Sequence, residues 1–169
     1  LTKRSVARVM QPKVMGSWLV HKLTRDCPLD FFVLFSSAAS VLGSPGQCAH
    51  AGANAFLDAL ARLRTAHSLP AQSINWGPWS EVGAAARQSA MSRLTARGIM
   101  YLTPEQGISA LERAFGIERP QIAVLAVDWP RYVEEVGRTQ PFLERVHSRK
   151  PSSRLPTGVN AQACPANPQ

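Results

Sequence analysis

Short apolar runs alternate along this chain with longer stretches in which apolar residues return every three or four positions, and that change of period sets the expected architecture. Residues 31–35, FFVLF, form a continuous run bounded by Asp30 and Ser36, the pattern of a strand buried on both faces. Residues 72–75 (QSIN) and 121–128 (QIAVLAVD) predict a second and a third strand. Between the first two, Ala53, Phe56, Leu57, Leu60 and Leu63 recur at helical spacing. Between the second and third, Thr103 and Gln106 spell a capping box, Pro104 takes the first helical position and Gly116 ends the helix. Ile108, Leu111 and Phe115 are expected to face its core side. Near the start, Val9, Val14, Trp18 and Leu19 form an apolar helix face running to Thr24. Pro12, which lacks a backbone donor, is expected in that helix's first turn, with the start near Gln11.

The order strand, helix, strand, helix, strand predicts an α/β layer of three parallel strands with flanking helices and right-handed crossovers. In such sheets ligands collect outside the carboxyl ends of the strands. Ser36, Ser37 and the turn 43–47 belong there, with Gly43 and Gly46 permitting positive φ and Pro45 fixing the bend. Residues 80–98, rich in alanine and small turn residues, suit a mobile helical lid. Residues 129–146 are expected to close the domain with a helix that packs Phe142, Leu143 and Val146 inward. From residue 148 the chain holds four prolines and few large apolar groups, so residues 1–147 read as one domain and 148–169 as a disordered linker or tail.

Composition narrows the function classes. The net charge is +8, but Lys and Arg stand singly and do not alternate with aromatic residues, which argues against nucleic acid and leaves an acidic partner or a cofactor phosphate. The longest apolar runs fall well short of the roughly 20 residues that cross a bilayer. The opening LTKRSVARVM lacks a signal-peptide core, so no membrane association and a cytoplasmic location are expected. Cys27, Cys48 and Cys164 have neither paired nor CxxC spacing, and no disulfide framework or metal site is expected.

The words FVLFSSAASVLGSPGQ, ANAFLDALA, LPAQSINWGPW and QIAVLAVDW closely resemble the ketoreductase domain of modular type I polyketide synthases, a branch of the short-chain dehydrogenase/reductase family. The resemblance covers about residues 8–146. It implies a Rossmann-type sheet and NADPH-dependent reduction of a β-ketoacyl group on an acyl carrier protein. By motif it places the catalytic lysine at Lys13 in PKVMGSW, the catalytic serine at Ser37, and the helical pair that follows thirteen residues later at His50 and Asn54. Asn75, Trp76 and Gly77 fall in the loop that lies beside the nicotinamide in the family. One position departs from the pattern: where the family has its proton-donating tyrosine, this sequence has His50. An imidazole can act as a general acid, but it ends closer to the backbone than a phenol, and a nearby Lys13 discourages its protonation.

The Gly-rich turn that such folds use to approach a pyrophosphate, GxGxxG, occurs nowhere in these residues. The sequence is therefore expected to be the carboxyl half of a Rossmann-type reductase domain, exposing a sheet edge and apolar helix faces. Two function classes stand side by side. One is the substrate half of a β-ketoacyl reductase, working with an acyl carrier protein, other polyketide synthase domains and a complementing amino-terminal reductase half. The other is a noncatalytic structural or interaction remnant of a truncated polyketide synthase. A Ser/His hydrolase on Ser37 and His50 lacks GxSxG and an acidic partner.

Overall fold

The computed structural model describes residues 2–80 and 94–136. In chain order these form α1 (Lys3–Thr24), β1 (Val33–Ser37), α2 (Ala39–Leu42), α3 (Cys48–Ala66), β2 (Gln72–Trp76), β3 (Ile99–Met100), α4 (Pro104–Phe115), β4 (Gln121–Val124), β5 (Ala126–Val127) and α5 (Trp129–Val136). β1, β2 and β4 make a parallel sheet with β2 in the middle, Val33 lying opposite Gln72 and Ser73 opposite Gln121. Parallel neighbours need long crossovers, and α3 and α4 lie in the two connections. β3 and β5 pair antiparallel as a separate ribbon.

Period-two alternation divides the strand side chains between two layers. Leu34 joins Phe32 and the α3 residues Leu57, Leu60 and Ala61 in one core, with Trp18 of α1 packed against it. Ile74 and Trp76 point the other way, into a core with Leu102 and Ala114 of α4. Ile74 is fully buried, a burial that contributes about 1.5–3 kcal/mol. On the α3 side the alternate positions are polar: Ser36, Ser73 and Asn75 are all buried there.

Several expectations shift. Strand β1 begins two residues late and takes in Ser36 and Ser37, and it is not buried on both faces: Phe35 is 51% exposed. Pro12 lies inside α1, whose start is set at Thr2 by a capping box with Ser5. The helix carries the proline because Pro12 and Arg8 are exposed, so the Arg8 carbonyl that loses its donor faces water. The third predicted strand divides into β4 and β5, which join different sheets. Cys27 and Cys48 are free and exposed. The lid assigned to residues 80–98 falls mostly outside the described residues, as do Phe142, Leu143, Val146 and the tail. Among the described residues no helix is long and apolar enough to cross a membrane.

Helix α4 has the caps its sequence predicts, Thr103 accepting from the Gln106 amide and Pro104 opening the first turn. Its packed face is different. Ile108 and Phe115 are more than half exposed, while Gly107, Ala110, Leu111 and Ala114 are turned inward. The cause is Trp79, whose ring lies so close that a Cβ on Gly107 would overlap its Cη2 atom. Gly107→Ala is therefore expected to cost about 1–3 kcal/mol by overpacking. Urea unfolding of the variant measures this, and Ser109→Ala, on the exposed face, serves as the neutral control.

A buried cation joins α1 to α3. Arg64, 1% exposed, stacks over Phe32 at 3.9 Å, donates to the Pro70 carbonyl and donates to Nδ1 of buried His21 at 3.0 Å. That bond requires an unprotonated Nδ1. Burial first, then the Arg64 charge, holds the His21 pKa below its ordinary 6.5, and burial and Lys13 do the same for His50. The unfolded chain thus binds these protons more readily than the folded one, so stability rises with pH across this window. Stability to urea is expected to level off above about pH 7.5 and to fall as pH drops through 6.5. His21→Gln should flatten part of that fall in a series of urea curves between these conditions.

Large apolar side chains remain exposed on both sides of β1. Met15, Leu19 and Leu23 are exposed along α1. On the other side Phe31 is exposed and meets Phe115 edge-on at 5.5 Å.

Candidate active site

The carboxyl ends of β1 and β2 open on a cleft of about 950 Å³. Its floor is Ser36, Ser37, Trp76 and Gly77, one wall is the 43–47 turn with His50, and Leu94, Arg97 and Ile99 close the other side. Gly43 and Gly46 have φ of 75° and 77°, the values that a side chain resists, and so turn the chain from α2 into α3. The α3 start brings His50 onto the cleft in the helix's first turn.

Of the residues predicted to form the site, Ser37, His50, Trp76 and Gly77 meet on this cleft. The Ser37 hydroxyl oxygen accepts from the Ala39 amide at 3.2 Å, which leaves its proton free to donate. Trp76 is 5% exposed, its ring between Phe35 and Trp79 at 5.5 and 5.2 Å. Its indole N–H is buried and finds no acceptor among the described residues. The Gly77 amide donates to the Val124 carbonyl at 2.9 Å, extending the β2–β4 ladder to the cleft edge.

Asn54 stands behind His50 rather than on the cleft. It is fully buried, one helical turn further along α3, and its Nδ2 donates to the His50 carbonyl at 2.8 Å and approaches His50 Nε2 at 3.2 Å. Lys13 projects from α1, half-buried, and its ammonium donates to the Phe35 carbonyl at 2.7 Å. Burial pulls its pKa down against the opposing pull of Asp58.

Asn75 turns away from the cleft. Its side chain is fully buried and enters a network centred on Asp58, a residue that no motif singles out. Asn75 Nδ2 lies 3.0 and 2.9 Å from the two Asp58 oxygens. Ser73 donates to Asp58 Oδ1 and Ser40 to Oδ2, at 2.6 and 2.7 Å. Asn75 also reaches the Ser36 hydroxyl at 3.0 Å and accepts from Gln121 at 2.9 Å. One carboxylate thus ties α3 to α2 and β2, with β1 joined through Asn75 and Ser36 and β4 through Gln121. The sequence held a signal: Ser73 and Asn75 are polar at alternate positions of a predicted strand, so they share one face, and polar groups on a face that is covered need partners.

A parallel sheet flanked by helices, with a cleft outside its carboxyl strand ends, defines the Rossmann-type α/β class. Within that class the comparisons are specific. Residues 1–81 match the KR domain family model. Polyketide synthase GfsE of Streptomyces halstedii is 38% identical over 167 residues, covering 95% of this chain and 4% of that protein. Polyketide synthase GfsB of the same organism is 43% identical over 131 residues, or 76% of this chain and 2% of that protein. Among solved structures, an A-type ketoreductase from a modular polyketide synthase superposes with a TM-score of 0.79 at 38% identity, covering 83% of this chain and 30% of that chain. The first ketoreductase of the tylosin PKS gives 0.74 at 42% identity, covering 80% and 30%. The chain belongs to the ketoreductase domains of modular polyketide synthases. It spans only 2–4% of the two polyketide synthases named and 30% of the two solved ketoreductase chains.

Proposed function

We propose that these residues form the substrate side of a β-ketoacyl reductase, which converts a β-ketoacyl group on an acyl carrier protein to the β-hydroxyacyl group with NADPH. The observation that carries this reading is the meeting of Ser37, His50, Trp76 and Gly77 on one cleft at the carboxyl ends of β1 and β2. NADPH, when bound, supplies hydride. Ser37 donates its free hydroxyl proton in a hydrogen bond to the substrate carbonyl oxygen, and the Lys13 charge behind it favours negative charge developing there. Trp76 and Gly77 form the floor at the nicotinamide end, the Trp76 ring as an apolar surface and Gly77 as a position without a side chain. Asn75 supports them from beneath through the Asp58 network.

The fit stops at the nicotinamide end. Among the described residues Arg97 is the one permanently charged side chain lining the cleft, and the sequence has no Gly-rich turn for a pyrophosphate. A complementing amino-terminal reductase segment supplies that part in this reading, and the exposed apolar side chains flanking β1 give it a surface to cover. The excess of basic residues favours encounter with an acidic carrier protein.

The test is NADPH binding, read by energy transfer from tryptophan to the bound nucleotide, on the chain alone and after adding a reductase amino-terminal half. Binding only on complementation, followed by reduction of a β-ketoacyl thioester, is the expected result. A folded chain that binds no NADPH in either state would leave the noncatalytic remnant as the better account.

A further inference from the structure

His50 has two ring nitrogens, and the fold has committed one of them. Asn54 Nδ2 donates to the His50 carbonyl at 2.8 Å, and this contact fixes which way the carboxamide faces, because the flipped amide would set two oxygens against each other. In the orientation fixed this way Nδ2 also lies 3.2 Å from His50 Nε2. An amide N–H can only donate, so Nε2 must accept and cannot carry a proton. The ring proton then sits on Nδ1, which forms no hydrogen bond with any described residue, on a side chain that lines the cleft.

We propose that His50 serves this site as a neutral imidazole whose Nδ1–H donates a hydrogen bond to the substrate carbonyl oxygen, with Asn54 as the positioning residue that holds the tautomer. Beside the Ser37 hydroxyl, Nδ1–H gives the cleft two neutral donors for one oxygen. Burial and the Lys13 charge agree with the geometry, since both disfavour the imidazolium. In this role His50 orients and polarises the carbonyl without giving up its proton. The chemical use of the donor rests on the reductase reading; the tautomer does not.

The test uses the full chain with ¹⁵N-labelled histidine, and long-range ¹H–¹⁵N correlations at pH 7.5 that separate a protonated from an unprotonated ring nitrogen. His50→Gln assigns the signals. The expected pattern is a protonated Nδ1 and an unprotonated Nε2, with Asn54→Ala removing that bias. Saturating acetoacetyl-N-acetylcysteamine, a short β-ketoacyl thioester, should then shift the Nδ1 resonance. An Nε2–H tautomer, or an imidazolium, in the unsubstituted chain overturns the proposal whether or not the Asn54 variant folds. So does the right tautomer with no shift on adding the thioester. If the shift appears but the complemented chain fails to reduce the thioester, the reductase reading falls and the donor assignment stands.

Discussion

Asp58→Ala is expected to lower the free energy of unfolding by about 3–5 kcal/mol, because buried donors that lose their acceptor cost about 1–3 kcal/mol each. The carboxylate is 7% exposed and accepts from Ser40, Ser73 and Asn75. Alanine would leave a void and three donors. The two hydroxyls can turn, but Asn75 cannot: its Nδ2 would retain only part of its present set of acceptors. A small domain has about 5–15 kcal/mol in all, so this variant should sit near the edge of folding at room temperature. Urea midpoints with the slope held constant measure the loss. Asp58→Asn keeps one accepting oxygen and nearly the same volume and should lose less. Equal losses for the two variants would mean that the charge, and not the hydrogen bonds, accounts for the effect.

His50→Tyr should raise reduction of a β-ketoacyl thioester by the complemented chain on the order of 10²-fold, the lower end of what a positioned general acid contributes. A neutral Nδ1–H can polarise a carbonyl, but its loss would leave an imidazolate, so the alcohol proton must come from water. A phenol reaches further into the cleft and can give its proton as hydride arrives. The measurement is kcat and KM for both chains under identical complementation. An unchanged kcat would mean that proton supply does not limit the reaction. The substitution also frees Asn54 from its ring partner, so thermal melts should accompany the kinetics.

Much of this could be read from the chain, and the parts that could not have physical causes. The cap of α4 was legible because Thr103, Pro104 and Gln106 act on backbone groups within one turn. Its packed face was not, since Ile108 and Phe115 have the periodicity of a core stripe but the ring of Trp79 fills the space in front of Gly107. That contact joins residues 28 positions apart, beyond the reach of any local pattern. Pro12 misled in a similar way: a proline penalty is local, whereas the Thr2 cap and the packing of Trp18 keep the helix on either side of it. At the site, Ser37, His50, Trp76 and Gly77 were placed through family motifs. The turning inward of Asn75 follows from strand alternation, and Asp58 becomes visible only once α3 lies across the sheet.

The edge-to-face pair of Trp76 and Trp79, rings 5.2 Å apart at 63°, makes the cleft floor optically distinctive. Two indoles so close and so inclined couple their electronic transitions, giving a paired band of opposite signs in circular dichroism. Trp18 and Trp129 instead neighbour His21 and Tyr132, so among the described residues neither forms a second indole pair. Because Trp79 is seated on Gly107, anything that lifts it from α4 breaks the couplet. Occupancy of the cleft can then be followed without a label and without turnover.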